Sequence, residues 1–282
     1  MKWRGREGSS NVDDRRGRGV RGGAGLGIGG LIIVALFTLL TGGDLGDVIG
    51  NISGMSGPAI EQRYEPTQQE EELAQFSKVV FKDTEDVWNG LFEQMGEEYV
   101  EPGMVLYTGS VNSGCGYASA QIGPFYCPAD SKVYIDLSFY KDLNNKFGAS
   151  GDFAFAYVIA HEVGHHVQNL YGISSQVQSL RQKLSQTEYN KYSVAMELQA
   201  DYLAGVFAAH QRDKGYLDVG DIEEAMNAAS QIGDDNIQRQ TQGYVVPDSF
   251  THGTSAQRRE WFERGYNAGD LSDWDTFKAL GL

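Results

Sequence analysis

The stretch AYVIAHEVGHHVQNLYG, Ala156–Gly172, carries three of the chain's five histidines among apolar residues. His161 and His165 are four apart, and side chains at that spacing project from one face of a helix. Glu162 lies between them. This His-Glu-x-x-His spacing offers two imidazoles to a single zinc ion and sets a carboxylate beside the ion's bound water. The surroundings sharpen the reading. Phe153, Phe155, Tyr157, Val158, Ile159, Ala160 and Val163 make the segment apolar on more than one face, which predicts a helix buried on most sides. Buried imidazoles and a buried carboxylate are costly alone, and one metal ion is a partner for all three. Ser150-Gly151-Asp152 predicts where the helix starts, and Gly172 where it stops.

A catalytic zinc site takes three protein ligands and keeps a fourth position for water. A metzincin would need Gly at 168 and His at 171, but Gln168 and Tyr171 stand there, so that pattern is excluded. The next candidate is MELQADYLAG, where Glu197 and Asp201 share one face of a second long helix, about Glu188 to Arg212. Glu197 is placed to complete the metal site. Asp201 is placed to accept a hydrogen bond from the outer nitrogen of a ligand histidine and so set its tautomer. Ala195, Ala200, Ala204 and Gly205 are small, as a close helix crossing requires.

His252, in a late segment, has two readings. It donates to the oxyanion of the reacting peptide, or it is a loop histidine making structural hydrogen bonds. Tyr244 and Tyr266 are weaker candidates for the same task. His166 points away from its neighbours' face and reads as structural. His210 reads as a helix-end cation or a surface residue.

HEVGHHVQNLYG followed by ELQADYLAGVFA resembles the HExxH…ExxxD pairing of glutamate-type zincins. The wider text is similar to the bacterial neutral zinc metallopeptidase family, which shares the basic tail and single N-terminal span. It also shares GPFYCPADSKVYID (Gly123–Asp136), HEVGHH, ELQADY and THGTSAQRREWF (Thr251–Phe262). The resemblance covers nearly the whole chain. It implies a membrane-anchored zinc peptidase with a zincin-like core. His161, His165 and Glu197 would hold Zn2+, and Glu162 would act as general base. It also implies a cleft-edge strand that binds substrate in extended form. KVYIDL, Lys132–Leu137, is the candidate, with Val133, Tyr134 and Ile135 as its substrate-binding residues. An interior strand with both edges paired is the competing reading.

Charge is unevenly spread. Residues 1–22 hold seven Lys or Arg against three acids, and the remainder carries a net charge of −19. So acidic a body repels nucleic acid, which is set aside as a partner. No charged residue occurs from Gly22 to Gly43, and LIIVALFTLL (Leu31–Leu40) lies inside that run. A helix needs about 20 apolar residues to span a bilayer. An uncleaved anchor fits better than a cleaved signal, because TGGDLGDV lacks a small-x-small cleavage site with alanines. The basic residues precede the span, so the tail is expected in the cytoplasm and the body outside the bacterial inner membrane. Cys115 and Cys127 then read as one disulfide.

The expected organisation is a disordered basic tail (1–21), a transmembrane helix (22–43), a linker (44–66) and a metallopeptidase domain (67–282). The expected fold class is α+β, mostly helical with a small antiparallel sheet. A zinc-binding scaffold or regulatory module without activity is the alternative function, and the intact Glu162 argues against it, because a structural site needs no base.

Overall fold

The computed structural model describes residues 1–17 and 64–282. The first long helix, α1 (Gln68–Met95), opens on a capping box in which Thr67 and Glu70 exchange hydrogen bonds, and closes on Gly96 in the left-handed region. A four-stranded sheet follows, in the order β1-β2-β6-β5, where β1 is Val12–Asp14, β2 Gly103–Tyr107, β5 Phe125–Cys127 and β6 Lys132–Asp136. The strands β1, β2 and β6 run parallel, while β5 runs antiparallel to β6. A separate antiparallel hairpin joins β3 (Ser110–Ser113) to β4 (Gly116–Ser119). The main sheet is therefore mixed rather than antiparallel. Its parallel strands are separated in sequence by long stretches, so no tight hairpin signals them.

Helix α2 (Phe139–Asn145) leads to the His-Glu-x-x-His helix, α3 (Asp152–Leu170), preceded by Gly151 at φ 114. Phe153, Phe155, Tyr157, Ile159, Val163 and Val167 are all at most 1% exposed, so α3 is enclosed as its composition predicts. After α4 (Ile173–Leu180), the second long helix α5 runs Gln186–Asp213, capped by Ser185 and Glu188 in a capping box. The remaining helices are α6 (Asp221–Gln231), α7 (Asp234–Gln242), α8 (Ser255–Ala268) and α9 (Thr276–Leu280). The small residues act as expected. A Cβ on Gly164 would lie 3.1 Å from the Ala200 carbonyl oxygen, so α3 and α5 cross closely there. On the other side of α5, a Cβ on Gly205 would meet the Phe262 oxygen at 2.1 Å, and one on Gly265 the Tyr202 oxygen at 1.9 Å. No side chain larger than hydrogen fits that α5–α8 crossing.

Two further expectations change. Residues 1–17 are not a disordered tail but part of the sheet and its surface. The run NVDDR is short and charged, so composition hides the strand. KVYIDL is interior: β6 is paired on one side by β2 and on the other by β5, and Val133, Tyr134 and Ile135 are at most 1% exposed. Val133 and Tyr134 are paired on both edges and Ile135, beyond the end of β5, is fully buried, so none of the three offers a substrate a free edge. The expected span 22–43 lies outside the described residues, and among those described no helix is long and apolar enough to cross a membrane. Cys115 and Cys127 form the expected disulfide, tying the β3–β4 hairpin to β5.

Candidate metal centre

Two turns of α3 face one turn of α5 across the Gly164 crossing. The facing atoms converge. His161 Nε2 is 3.2 Å from Glu197 Oε2, and His165 Nε2 is 3.5 Å from Glu197 Oε1. One ligand atom from each of the three side chains can be chosen so that all lie within 4.8 Å of one another.

Partners of the outer nitrogens decide what those atoms are. Asp201 takes His161 Nδ1 at 2.9 Å. A carboxylate only accepts, so Nδ1 carries the hydrogen and Nε2 keeps its lone pair. Gln168 acts likewise on His165. Its Nε2 donates to the Met196 carbonyl at 2.7 Å and to Gln199 at 3.0 Å, which turns Oε1 toward His165 Nδ1 at 2.8 Å. Two imidazole lone pairs and one carboxylate thus point at each other. Such a set needs a cation. Zinc bonds of about 2.0–2.1 Å in a tetrahedron put neighbouring ligand atoms about 3.3–3.4 Å apart, and each Glu197 oxygen lies close to that distance from one imidazole nitrogen. The residues fit a zinc ion.

Without an ion, protons do part of the same work. Burial opposes charge on His161, but Asp201 and Glu197 outweigh it and push the pKa up to about 9. His165 is raised in the same way by Glu197. Despite burial, the two histidines hold Glu197 well below the usual carboxylate range. Burial pushes Glu162 up, against the pull of His165 and His161. The backbone of Tyr126, on β5, pulls the same way as the histidines.

Behind Asp201 stands a residue the sequence reading missed. Arg258, on α8, donates to Asp201 from Nε at 2.8 Å and from Nη2 at 3.0 Å, and its Nη2 also donates to the Tyr157 hydroxyl at 3.2 Å. Tyr157 donates in turn to Asp201. Arg258 sits inside the quoted segment THGTSAQRREWF, but a sequence gives no distance from there to Asp201. Tyr157 and Gln168 were within reach of helical spacing, four residues before His161 and three after His165.

His252 comes to the site with a partner, Asp234, the first residue of α7. Asp234 accepts the backbone N–H of Thr251, His252 and Gly253 at 2.7, 2.7 and 3.1 Å, and faces His252 Nδ1 at 3.1 Å. His252 and Glu197 favour each other's charged forms. The other histidines are accounted for elsewhere. His166 donates from Nε2 to the Val100 carbonyl at 2.7 Å and accepts from Tyr126. His210 donates to the Gly269 carbonyl at 3.0 Å. Tyr266 lies under the Arg212 guanidinium toward the far end of α5, and Tyr244 is exposed. A second acidic group, Asp152, Asp221 and Glu224, already surrounds the Met1 amino group, 2.7 Å from Asp152 Oδ1 and 3.3 Å from Asp221 Oδ2.

A family model described as "Putative neutral zinc metallopeptidase" matches residues 1–277. The chain belongs to this family. The match includes the N-terminal segment that carries β1. Among its relatives, the uncharacterized protein YpfJ of Escherichia coli is 50% identical over 98% of this chain and 99% of its own length. An uncharacterized protein of Mycobacterium tuberculosis is 45% identical over 65% of each chain. No solved structure matches.

Proposed function

We propose that the protein is a zinc-dependent peptidase whose metal is held by His161, His165 and Glu197. The observation that carries this is the convergence of two lone-pair nitrogens and a carboxylate beside the unspent carboxylate of Glu162. The family description supports the same reading. When bound, the zinc supplies Lewis-acid polarisation of the peptide carbonyl and lowers the pKa of its water to about 7. Glu162 takes the proton of the attacking water and delivers it to the leaving amine. Asp201 and Gln168 hold the two imidazoles in the ligating tautomer. His252, fixed by Asp234, donates to the oxyanion that develops on the attacked carbonyl.

The substrate is a peptide or protein segment in extended form. The strand it lies along is β5 rather than β6. Two observations support this: among the described residues β5 is the terminal strand of the sheet, and the hydroxyl of its Tyr126 bonds to His166, on the same helix as Glu162. The apolar run around Leu31–Leu40 attaches the enzyme to the bacterial cytoplasmic membrane. The Cys115–Cys127 disulfide favours an extracytoplasmic site for the domain.

The decisive experiment pairs zinc content with hydrolysis of a fluorogenic peptide library, for the parent and for Glu162→Gln. The variant is expected to retain about one zinc per chain while kcat drops by roughly 10²–10⁴-fold. Equal hydrolysis by both proteins would remove Glu162 from the mechanism, and with it the peptidase reading.

A further inference from the structure

The first seventeen residues are bonded to the body along their length. Backbone hydrogen bonds run from Lys2 to Tyr216, Ser9 to Lys78, Met104 to Asn11 and Arg15 to Leu106, at 2.8–2.9 Å. Strand β1 places Val12, Asp13 and Asp14 opposite Met104, Val105 and Leu106. Trp3 is buried edge-on against Phe76, with ring centroids 5.6 Å apart. Ser9 and Asn11 both donate to the buried Glu85, and Arg6 pairs with the buried Asp83. Removing this segment would expose Trp3 and leave two interior carboxylates without these partners.

Of the seven basic residues that suggested a cytoplasmic tail, the five among the described residues are all bonded within the folded domain. Arg16 is 6% exposed and donates to Asp14, Glu71 and the Glu70 carbonyl. Arg4 pairs with Glu72, Arg15 with Asp13, and Lys2 donates to the Gly215 carbonyl. Charges neutralised by the folded domain carry little weight in deciding which side of a bilayer a segment takes. The chain also leaves and re-enters the domain at one place. A Cβ on Gly17 would lie 2.3 Å from Tyr64 Cβ.

From these contacts we infer that residues 1–17 and 64–282 are one folded unit lying wholly on one side of the membrane. Strands cannot exchange hydrogen bonds through about 30 Å of hydrocarbon. A single crossing with a cytoplasmic tail and an exported body is incompatible with β1. This inference is independent of the peptidase reading, because it uses no residue of the metal centre.

The test uses the full-length chain in cells. Arg4→Cys and Val219→Cys each place one thiol at an exposed position, in residues 1–17 and in the body; the Arg4 side chain is 73% exposed and Val219 is fully exposed. Each is treated with a membrane-impermeant maleimide before and after lysis, with the parent as blank. Both thiols are expected to behave alike, labelled together in intact spheroplasts or together only after lysis. Labelling of one in intact cells and of the other only after lysis would overturn the inference. A second variant, Asn11→Cys with Glu101→Cys, probes the packing directly, because these exposed side chains are 2.7 Å apart. A short bis-maleimide, which bridges thiols at the reach of the replaced side chains, should cross-link the pair in isolated membranes, visible as a shift on gels. No cross-link in a folded protein would overturn the β1 placement and the inference with it.

Discussion

Arg258 grips Asp201 with two hydrogen bonds, at 2.8 and 3.0 Å, where neither side chain is more than 2% exposed. The same carboxylate takes the Nδ1 hydrogen of His161. His161, a candidate ligand, is thus oriented by an acid that is itself oriented by a cation on another helix.

Arg258→Gln should therefore weaken the metal site without touching a ligand. Loss of an outer partner of this kind lowers metal affinity by about 10–100-fold. Breaking a buried pair by removing one partner costs about 3–5 kcal/mol. Chelator competition for zinc and thermal melting measure the two effects separately. Parent-like zinc affinity in Arg258→Gln would show that Asp201 holds its orientation without the arginine.

Glu197→Ala removes the only ligand contributed by α5. Elemental analysis should find about one zinc per chain in the parent and far less in the variant. Zinc should also raise the parent's melting temperature: a ligand at 100 times its Kd adds about 2.7 kcal/mol. The variant should show little of that gain. A folded parent without stoichiometric metal would leave α3 as a histidine-bearing helix with no assigned chemistry.

The Asp234–His252 pair gives the zinc-free protein a specific pH dependence. Burial works against charge on His252, but Asp234 outweighs it, so the folded pKa lies above 6.5. A raised histidine pKa contributes stability that is fully present below 6.5 and lost as pH rises through the folded value. Burial likewise opposes the charge on Asp234, yet His252 and the backbone donors hold it below 3.8. That contribution is present above 3.8 and lost as pH falls through the folded value. Urea titrations of parent and His252→Gln should therefore differ most between these limits, and the difference should shrink as pH rises beyond 6.5. A constant difference across that range would show that the pair carries no linked proton.

At Gly205 and Gly265 there is no space for a methyl group. Alanine at either must push α5 and α8 apart, because each Cβ meets a backbone oxygen near 2 Å. Overpacking typically costs about 1–3 kcal/mol, and more where backbone has to move. Thermal melting should show a loss at or above this range for Gly205→Ala. Gly90→Ala is the control, since nothing lies within 4 Å of its added Cβ and the melting temperature should hold or rise.

Much of the site was legible locally. His161, Glu162 and His165 lie within one turn and a half of α3, and Glu197 and Asp201 within one turn of α5. Helical spacing alone puts His161 and His165 on one face, with Glu162 adjacent, and Glu197 and Asp201 on one face of α5. The apolar content of α3, the caps of α1 and α5, and the small residues at the crossings are local signals too. What the spacing could not supply was any distance between segments remote in the chain. That Arg258 reaches Asp201, and that Asp234 pins His252, depends on how α7 and α8 pack against α5. No periodicity records that packing.

The N-terminus and the sheet show the same division. The sequence determined that the first residues are basic, that an apolar run follows, and that KVYIDL is a strand. Only the tertiary structure decided that those basic residues pair with acids of the body, and that β6 is interior while β5 is the terminal strand. Strand order and parallel pairing join residues about thirty to ninety positions apart. The hydrogen bonds that choose between partners are made by the backbone, which is nearly the same at every residue. Side-chain pattern can therefore announce a strand, but its neighbours are settled by the packing of the whole domain.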